Sequence, residues 1–185
     1  DFAVAVEVYG SIFAAEINAS PMRAGAASGV ELRKLRDRPD IEPYLRGYVR
    51  GFDCSLSDYM GFLHRRDQWI GRIESIVEDV DAWIAPVAPT AAIEHMARGA
   101  SLLVENKPWP YMAQGWYCLP FNLTDHPVVV VPAGWSSDDL PCGVQLVGRR
   151  WEESALLDAA DCIAEVAAVL RVRSRASRAF ELAIA

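Results

Sequence analysis

Two adjacent serines, Ser136 and Ser137, are the residues that first suggest nucleophilic chemistry. A serine hydroxyl becomes a nucleophile when a base takes its proton and backbone N–H groups face the oxyanion that forms. A lysine can be that base only where its surroundings keep the amine neutral. The chain contains two lysines, Lys34 and Lys107, and neither stands in a recognisable motif. We therefore interpret the serine pair as part of a loop.

The three histidines offer a second kind of chemistry, because a Ser-His-Asp triad needs a histidine base. His64 stands beside two arginines on a predicted helix, His95 follows a glutamate, and His126 precedes Pro127. None of these settings defines the geometry of a triad. Metal-ligand spacing is also missing, and the four cysteines form no C-x-x-C pair. We expect no metal or cofactor, and free thiols in a reducing compartment.

The most distinctive segment reads FNLTDHPVVVVPAGW over residues 121–135 and LPCGVQLVGRRWEE over residues 140–153. It predicts a strand, a loop, a second strand and a helix. This block resembles the C-terminal signature of the amidase signature family, which are serine hydrolases of carboxamides. The strong resemblance covers residues 119–157, and a weaker one covers residues 56–90.

The resemblance implies an α/β fold, in which one mixed sheet is flanked by helices on both faces. It also implies a nucleophile activated by a second serine and a lysine, in a Gly/Ser-rich segment toward the N-terminus of the family. Nothing in these 185 residues looks like that segment. We therefore expect residues 1–185 to be the C-terminal part of a single amidase signature domain. The N-terminal part of the same enzyme would be its partner, and no catalytic residue is assigned here.

The resemblance further places part of a substrate pocket just before the valine-rich strand. The candidate substrate-binding residues are Trp116, Tyr117, Cys118, Phe121, Asn122 and Asp125. Core packing is the alternative for each aromatic residue, and Asn122 could instead fix the loop through hydrogen bonds to the backbone. Asp125 replaces a common family glycine, so it either brings negative charge to the pocket or is an exposed turn carboxylate. Whether residues 90–120 line the pocket is left open.

Two long helices are predicted in the first half of the chain. The first carries an apolar stripe and ends before Pro21; its members are Phe2, Val6, Tyr9, Phe13 and Ile17. The second starts at Ser55, whose hydroxyl can cap the helix with Asp58 three residues on. Its predicted core face comprises Phe62, Trp69, Ile73, Ile76 and Val80, widened by Leu63, Ile70 and Val77.

The second half of the chain predicts strands and a closing helix. Residues 81–89 form a short apolar segment closed by proline, which resembles the buried strand of the family, and residues 90–120 read as an extended loop with at most one short helix. Val128–Val131 is β-branched without alternation, which predicts a central strand covered on both faces. Residues 142–148 predict another strand. Residues 152–170 predict a helix with one apolar side, formed by Leu156, Ala160, Ile163, Ala167 and Leu170.

The leading functional interpretation is hydrolysis of a small linear or cyclic amide through a serine acyl-enzyme. The alternatives are the amidating subunit of a tRNA-dependent amidotransferase and an inactive structural fragment. A net charge of -7 argues against nucleic acid as a partner. The chain has no apolar run near the roughly 18 residues that span a bilayer, so we expect no membrane partner and a cytoplasmic location. A homodimer is left open.

Overall fold

A computed structural model describes residues 1–19, 34–35, 38, 41–97 and 100–167 of the protein. Its helices and strands, in chain order, are α1 (Phe2–Ala19), α2 (Pro43–Phe52), α3 (Leu56–Val77), β1 (Trp83–Pro86), β2 (Leu102–Val104), β3 (Lys107–Trp109), a 3-10 helix (Tyr111–Gly115), α4 (Leu119–Thr124), β4 (Val128–Trp135), β5 (Pro141–Val147) and α5 (residues 153–167). Leu170 lies outside the described residues.

The main sheet has three antiparallel strands in the order β1-β5-β4. Side chains alternate between its faces, so neighbouring residues of β5 serve two cores. Val147 packs among residues of α1, α3 and α4. Leu146 packs on the opposite face against Leu156 and Ala160 of α5. The predicted α/β class, with helices on both faces of a sheet, is therefore confirmed.

Helix α3 starts where the sequence predicts, because Ser55 closes a capping box. The Ser55 hydroxyl accepts a hydrogen bond from the Asp58 N–H at 3.1 Å, and the Asp58 carboxylate accepts one from the Ser55 N–H at 3.0 Å. The buried stripe is Trp69, Ile73 and Val77. The predicted core face was too wide, since Ile76 and Val80 are 46% and 42% exposed.

Helix α1 confirms the predicted first helix, although the predicted apolar stripe is not buried along its whole length. Val6 is fully buried, whereas Phe13 and Ile17 are 36% and 42% exposed. Small residues such as Ala5 and Ala14 take buried positions instead. Helix α1 packs most extensively on α2, and that close approach explains why small side chains are needed at the contact.

Residues 90–120 contain a β-hairpin, which corrects the prediction of an extended loop. Strands β2 and β3 pair antiparallel, from Leu102 opposite Trp109 to Val104 opposite Lys107. The two turn residues, Glu105 and Asn106, have φ values of 50° and 63°. Positive φ at both positions is the geometry of a type I′ turn, which asparagine favours. The prediction allowed at most one short helix in this range; the structure has the 3-10 helix at Tyr111–Gly115, and α4 begins at Leu119.

Strand β4 lies at an edge of the described sheet, so the prediction of a central strand buried on both faces was wrong. Val131 is 5% exposed, but Val128 and Val130 are 39% and 54% exposed. Val130 shares a row across the sheet with Gln145 and Ala85. Ala85 on β1 and Gln145 on β5 are buried in this row, whereas Val130 on β4 is exposed.

Helix α5 confirms the predicted closing helix over residues 153–167. Leu156, Ala160 and Ala167 are each at most 5% exposed, so the predicted apolar side faces the protein. Among the residues that the structure describes, no helix combines the length and apolar character needed to cross a bilayer.

Candidate functional site

The predicted pocket segment, residues 116–122, connects the 3-10 helix to α4 and lies against the end of β1. Pro120 occupies the first turn of α4, where its missing N–H costs no helical hydrogen bond. The Cys118 thiol donates to the Val87 carbonyl at 3.3 Å, and burial raises the pKa of this thiol. The structure thus brings the pocket segment to the loop that leaves β1.

Tyr117 and Phe121 point toward the aromatic core. The Phe2 ring lies 6.5 Å from the Tyr117 ring and 6.2 Å from the Phe121 ring, in edge-on contacts. Trp83 contacts Phe121 edge-on at 5.5 Å. Phe121 is only 1% exposed. In the described part of the chain, Phe121 therefore packs in the core.

Trp116 is placed differently, against the hairpin formed by β2 and β3. Its ring lies 5.9 Å from that of Trp109, on β3. Its indole N–H is buried close to the Glu42 carboxylate, without a hydrogen bond of normal geometry in the described part of the chain. Burial raises the pKa of Glu42 although the Tyr44 and Leu45 N–H groups bond to it.

Asn122 and Asp125 are exposed and open into a small cavity of about 220 Å³. The cavity is also lined by Tyr9, Phe13, Glu16 and Arg66. Asp125 adopts φ 56°, the left-handed conformation in which a glycine is common and aspartate is tolerated. Asp125 therefore occupies a turn position at the C-terminal end of α4, and its side chain borders this cavity.

The serine pair lies in the β4–β5 loop, as the sequence interpretation expected. The Ser136 hydroxyl accepts hydrogen bonds from the Asp138 and Leu140 N–H groups, both at 3.2 Å. The Ser136 N–H in turn donates to the Leu140 carbonyl at 2.8 Å. These bonds close the loop, and Ser137 is exposed beside them. The hydroxyl of Ser136 therefore serves the turn.

The histidines lie in three different settings. His64 and His95 are exposed, and the His64 Nε2 is 3.2 Å from the Gln68 amide nitrogen. His126 is buried, and its Nδ1 is 2.9 Å from the Thr124 hydroxyl. Within the described ranges, no three His, Cys, Asp or Glu side chains are grouped so that they could hold a metal ion.

His126 is expected to make the stability of the protein depend on pH. Burial lowers its pKa below the ordinary value of 6.5, and Arg150 adds to the effect while Glu74 and Asp125 oppose it. Below pH 6.5, His126 therefore binds a proton more readily in the unfolded chain than in the folded protein. We expect stability to fall as the pH falls from 6.5 toward the folded pKa, by about 1.4 kcal/mol for each unit of pKa shift.

Urea unfolding of the protein and of His126→Gln at several pH values tests this expectation. The variant should lose less stability than the wild type between pH 7.5 and pH 5.5, two values that bracket the ordinary histidine pKa of about 6.5. His64→Gln, at an exposed histidine, is the matched control and should behave as the wild type. Identical pH slopes in wild type and His126→Gln would contradict the assignment.

Gln145 is a buried polar residue bonded to the pocket segment, and the sequence reasoning missed it. It is 1% exposed on β5, and its amide nitrogen donates to the carbonyls of Pro86 at 2.6 Å and Tyr117 at 2.8 Å. A glutamine inside a strand of apolar residues was the available signal, because a buried amide must find hydrogen-bond partners. Its bonds join the end of β1 to the pocket segment.

Comparison of the sequence with known proteins identifies the class of protein to which this architecture belongs. The sequence model described as Amidase matches residues 57–157. The Mycobacterium tuberculosis protein named 'Putative amidase AmiB2' is 42% identical over 91 residues, covering 46% of this chain and 18% of the relative. A glutamyl-tRNA(Gln) amidotransferase subunit of Ruegeria pomeroyi is 33% identical over 155 residues, or 78% of this chain and 30% of the relative.

Solved structures agree with the sequence relatives. A crystal structure of an amidase superposes with a TM-score of 0.59 at 22% identity, over 84% of this chain and 34% of that chain. An inhibitor-bound chain, from a vestigial complex linked to the origins of an s-triazine catabolic enzyme, gives 0.56 at 26% identity, over 87% and 34%. The fold is that of amidases. This chain belongs to the amidase family, and it spans less than a third of the length of the curated relatives named above.

Proposed function

We propose that this chain is the C-terminal part of a single amidase signature domain. The complete domain hydrolyses the C–N bond of a small linear or cyclic carboxamide. The observation that carries the proposal is the family match over residues 57–157, which contains the pocket segment, both long strands of the sheet and the start of α5. The four cysteines are free thiols, which supports a reducing, cytoplasmic setting.

In the proposed reaction a serine outside these residues attacks the amide carbonyl. The amine leaves with a proton, and water then hydrolyses the acyl ester to release the acid and the serine. Both lysines of this chain, Lys34 and Lys107, are exposed, and neither lies beside Ser136 in the sequence. Ser136 is held by its loop. These positions support a catalytic group located elsewhere in the complete domain.

The test compares the 185-residue chain with the complete gene product, using a simple aryl amide. We expect the complete protein to release arylamine continuously, with an initial burst where deacylation is slower than acylation. The 185-residue chain should release no arylamine above background. Turnover by the chain alone would refute the assignment of the nucleophile. Absence of turnover by the complete protein, over a panel of amides, would refute the amidase function.

An amidating subunit is the second candidate, because several relatives are named as subunits of glutamyl-tRNA(Gln) amidotransferase. The net charge of -7 weighs against a nucleic-acid partner. The discriminating measurement supplies glutamyl-tRNA(Gln) and glutamine to the complete protein with its co-purifying subunits. Formation of glutaminyl-tRNA, without hydrolysis of simple amides, would favour this candidate over the first.

Six residues are proposed to form or support the substrate pocket. Trp116, Cys118, Asn122 and Asp125 would lie nearest the substrate, and Tyr117 and Phe121 would support them from the core. Aromatic walls with few polar groups suit a small-molecule pocket. The different surroundings of Trp116 and Phe121 support this division, because Phe121 is 1% exposed beside Phe2, whereas Trp116 packs on Trp109 of the β2–β3 hairpin.

Trp116→Ala is expected to change substrate preference in the complete enzyme. Removing one apolar wall should shift the ratio of kcat/KM between a bulky and a small amide by roughly ten- to two-hundredfold. Trp151→Ala is the matched control, because Trp151 is 84% exposed and lies after β5. Its substrate ratio should equal that of the wild type. Equal losses on both substrates, together with a lower melting midpoint, would show that Trp116 is structural.

A further inference from the structure

Gln145 joins three separate parts of the chain through one side chain. It sits in the central strand β5, where only 1% of its surface is exposed. Its amide nitrogen donates at 2.6 Å to the carbonyl of Pro86, the last residue of β1. It also donates at 2.8 Å to the carbonyl of Tyr117 in the pocket segment. Both N–H groups of the amide are thereby used.

A second bond runs beside this one. The Cys118 thiol donates to the carbonyl of Val87, one residue after Pro86. Two consecutive residues of the pocket segment are thus tied to two consecutive residues at the end of β1. Gln145 of β5 donates to both segments, so the position of its side chain fixes the distance between the pocket segment and the end of β1.

We propose that Gln145 is a positioning residue that holds residues 116–118 against the end of β1 and so sets substrate binding in the complete amidase. This inference rests on the proposed function, since it concerns the same pocket. Gln145 itself is covered by the segments that it joins and acts through them. A small displacement of a segment that contacts substrate changes how the substrate is held, so such a tie has functional weight.

Gln145→Met is the informative substitution. Methionine keeps an unbranched side chain of similar length but removes both donors. The carbonyls of Pro86 and Tyr117 then lose their buried partner, and the segment is free to move toward water that can replace it. Gln145→Glu provides a second variant of the same shape, in which carboxylate oxygens face the two carbonyls.

The first measurement is the rate of iodoacetamide alkylation of Cys118 in the complete gene product, read by peptide mass spectrometry. The exposed Cys162 in the same molecule is the internal reference. Loss of the tie should speed labelling of Cys118 relative to Cys162 by about tenfold, the equivalent of one buried hydrogen bond. Gln68→Met removes an exposed glutamine and should leave the ratio unchanged.

Leu156→Ala separates positioning from general instability. Leu156 is buried on the opposite face of the sheet, so its truncation lowers stability without touching the tie. Its Cys118 to Cys162 labelling ratio should stay near that of the wild type under native conditions. A ratio that rises equally in Leu156→Ala and Gln145→Met would overturn the proposal.

The second measurement is steady-state hydrolysis by the same preparations. We expect Gln145→Met to raise KM by about tenfold with a smaller change in kcat, because the pocket wall is displaced while the nucleophile is intact. Unchanged Cys118 labelling would overturn the tie, and faster labelling with unchanged KM would overturn its role in binding. If the wild type hydrolyses no amide, the proposed function fails and the binding role fails with it, whereas the labelling ratio still decides whether the tie exists.

Discussion

Phe121→Ala is expected to lower the free energy of unfolding by about 3–5 kcal/mol, the usual cost of removing a buried phenylalanine. The Phe121 ring lies at the centre of an aromatic group, with Phe2 at 6.2 Å and Trp83 at 5.5 Å. These neighbours belong to α1 and β1, which are far apart in the chain. The cavity left by alanine would therefore weaken the contact between the first helix and the sheet.

Phe13→Ala is the matched control for this substitution. Phe13 stacks on Tyr9 at 5.8 Å but is 36% exposed, so the same deletion should cost clearly less, about 1 kcal/mol. Chemical unfolding of the protein and both variants measures the difference. If Phe121→Ala unfolds like the wild type while changing amide preference in the complete enzyme, Phe121 belongs to the pocket surface rather than to the core.

The elements with strong local signals could be predicted from the sequence. Ser55 and Asp58 placed the start of α3, and the apolar periodicity after residue 152 placed α5. Strand β5 also falls within one residue of its predicted limits. Each of these signals depends on residues that are neighbours in the chain, so the sequence alone contains the physical cause.

The errors concern contacts between elements. The composition of Val128–Val131 predicted a strand correctly, but composition does not say what covers each face, and Val130 is 54% exposed. Ile76 fits the periodicity of α3 and still faces outward, because only the Trp69–Val77 side meets α1 and α4. Burial of a given residue depends on the partner element, which the local pattern does not contain.

The candidate site shows the same division. The resemblance to a family proposed the pocket segment, and the structure then gave Trp116 a contact with Trp109 and enclosed Phe121 in the core. Gln145 was missed because its partners, Pro86 and Tyr117, lie 59 and 28 residues away in the chain. A polar side chain in an apolar strand indicated that Gln145 would need hydrogen-bond partners. It did not indicate which residues those partners are.

Helices α1 and α2 approach each other through glycines, and this contact carries the second large prediction. A Cβ atom at Gly47 would lie 1.9 Å from the Glu7 carbonyl oxygen, and one at Gly51 would lie 1.9 Å from the Ser11 carbonyl oxygen. Both neighbours are backbone atoms of α1, so they cannot move aside as a side chain would. The helices must separate to accept even a methyl group.

Gly51→Ala is therefore expected to destabilise the protein by about 3 kcal/mol, at the upper end of the usual cost of overpacking. Separation would also strain the ion pairs that Glu7 makes with Arg46 and Arg50 across the same contact. Thermal or urea unfolding of the variant measures the loss. A stability equal to that of the wild type would show that α1 and α2 are not packed through their backbones.

Gly61→Ala is the control, and it is expected to change stability in the opposite direction. Gly61 lies within α3, and a Cβ atom there would meet nothing within 4 Å. Alanine in an exposed helix should stabilise the protein by about 0.5–1 kcal/mol, because glycine loses more backbone entropy on folding. The same chemical change thus isolates the cost of contact: helix propensity favours alanine at both sites, so any loss at Gly51 must come from the approach of α1.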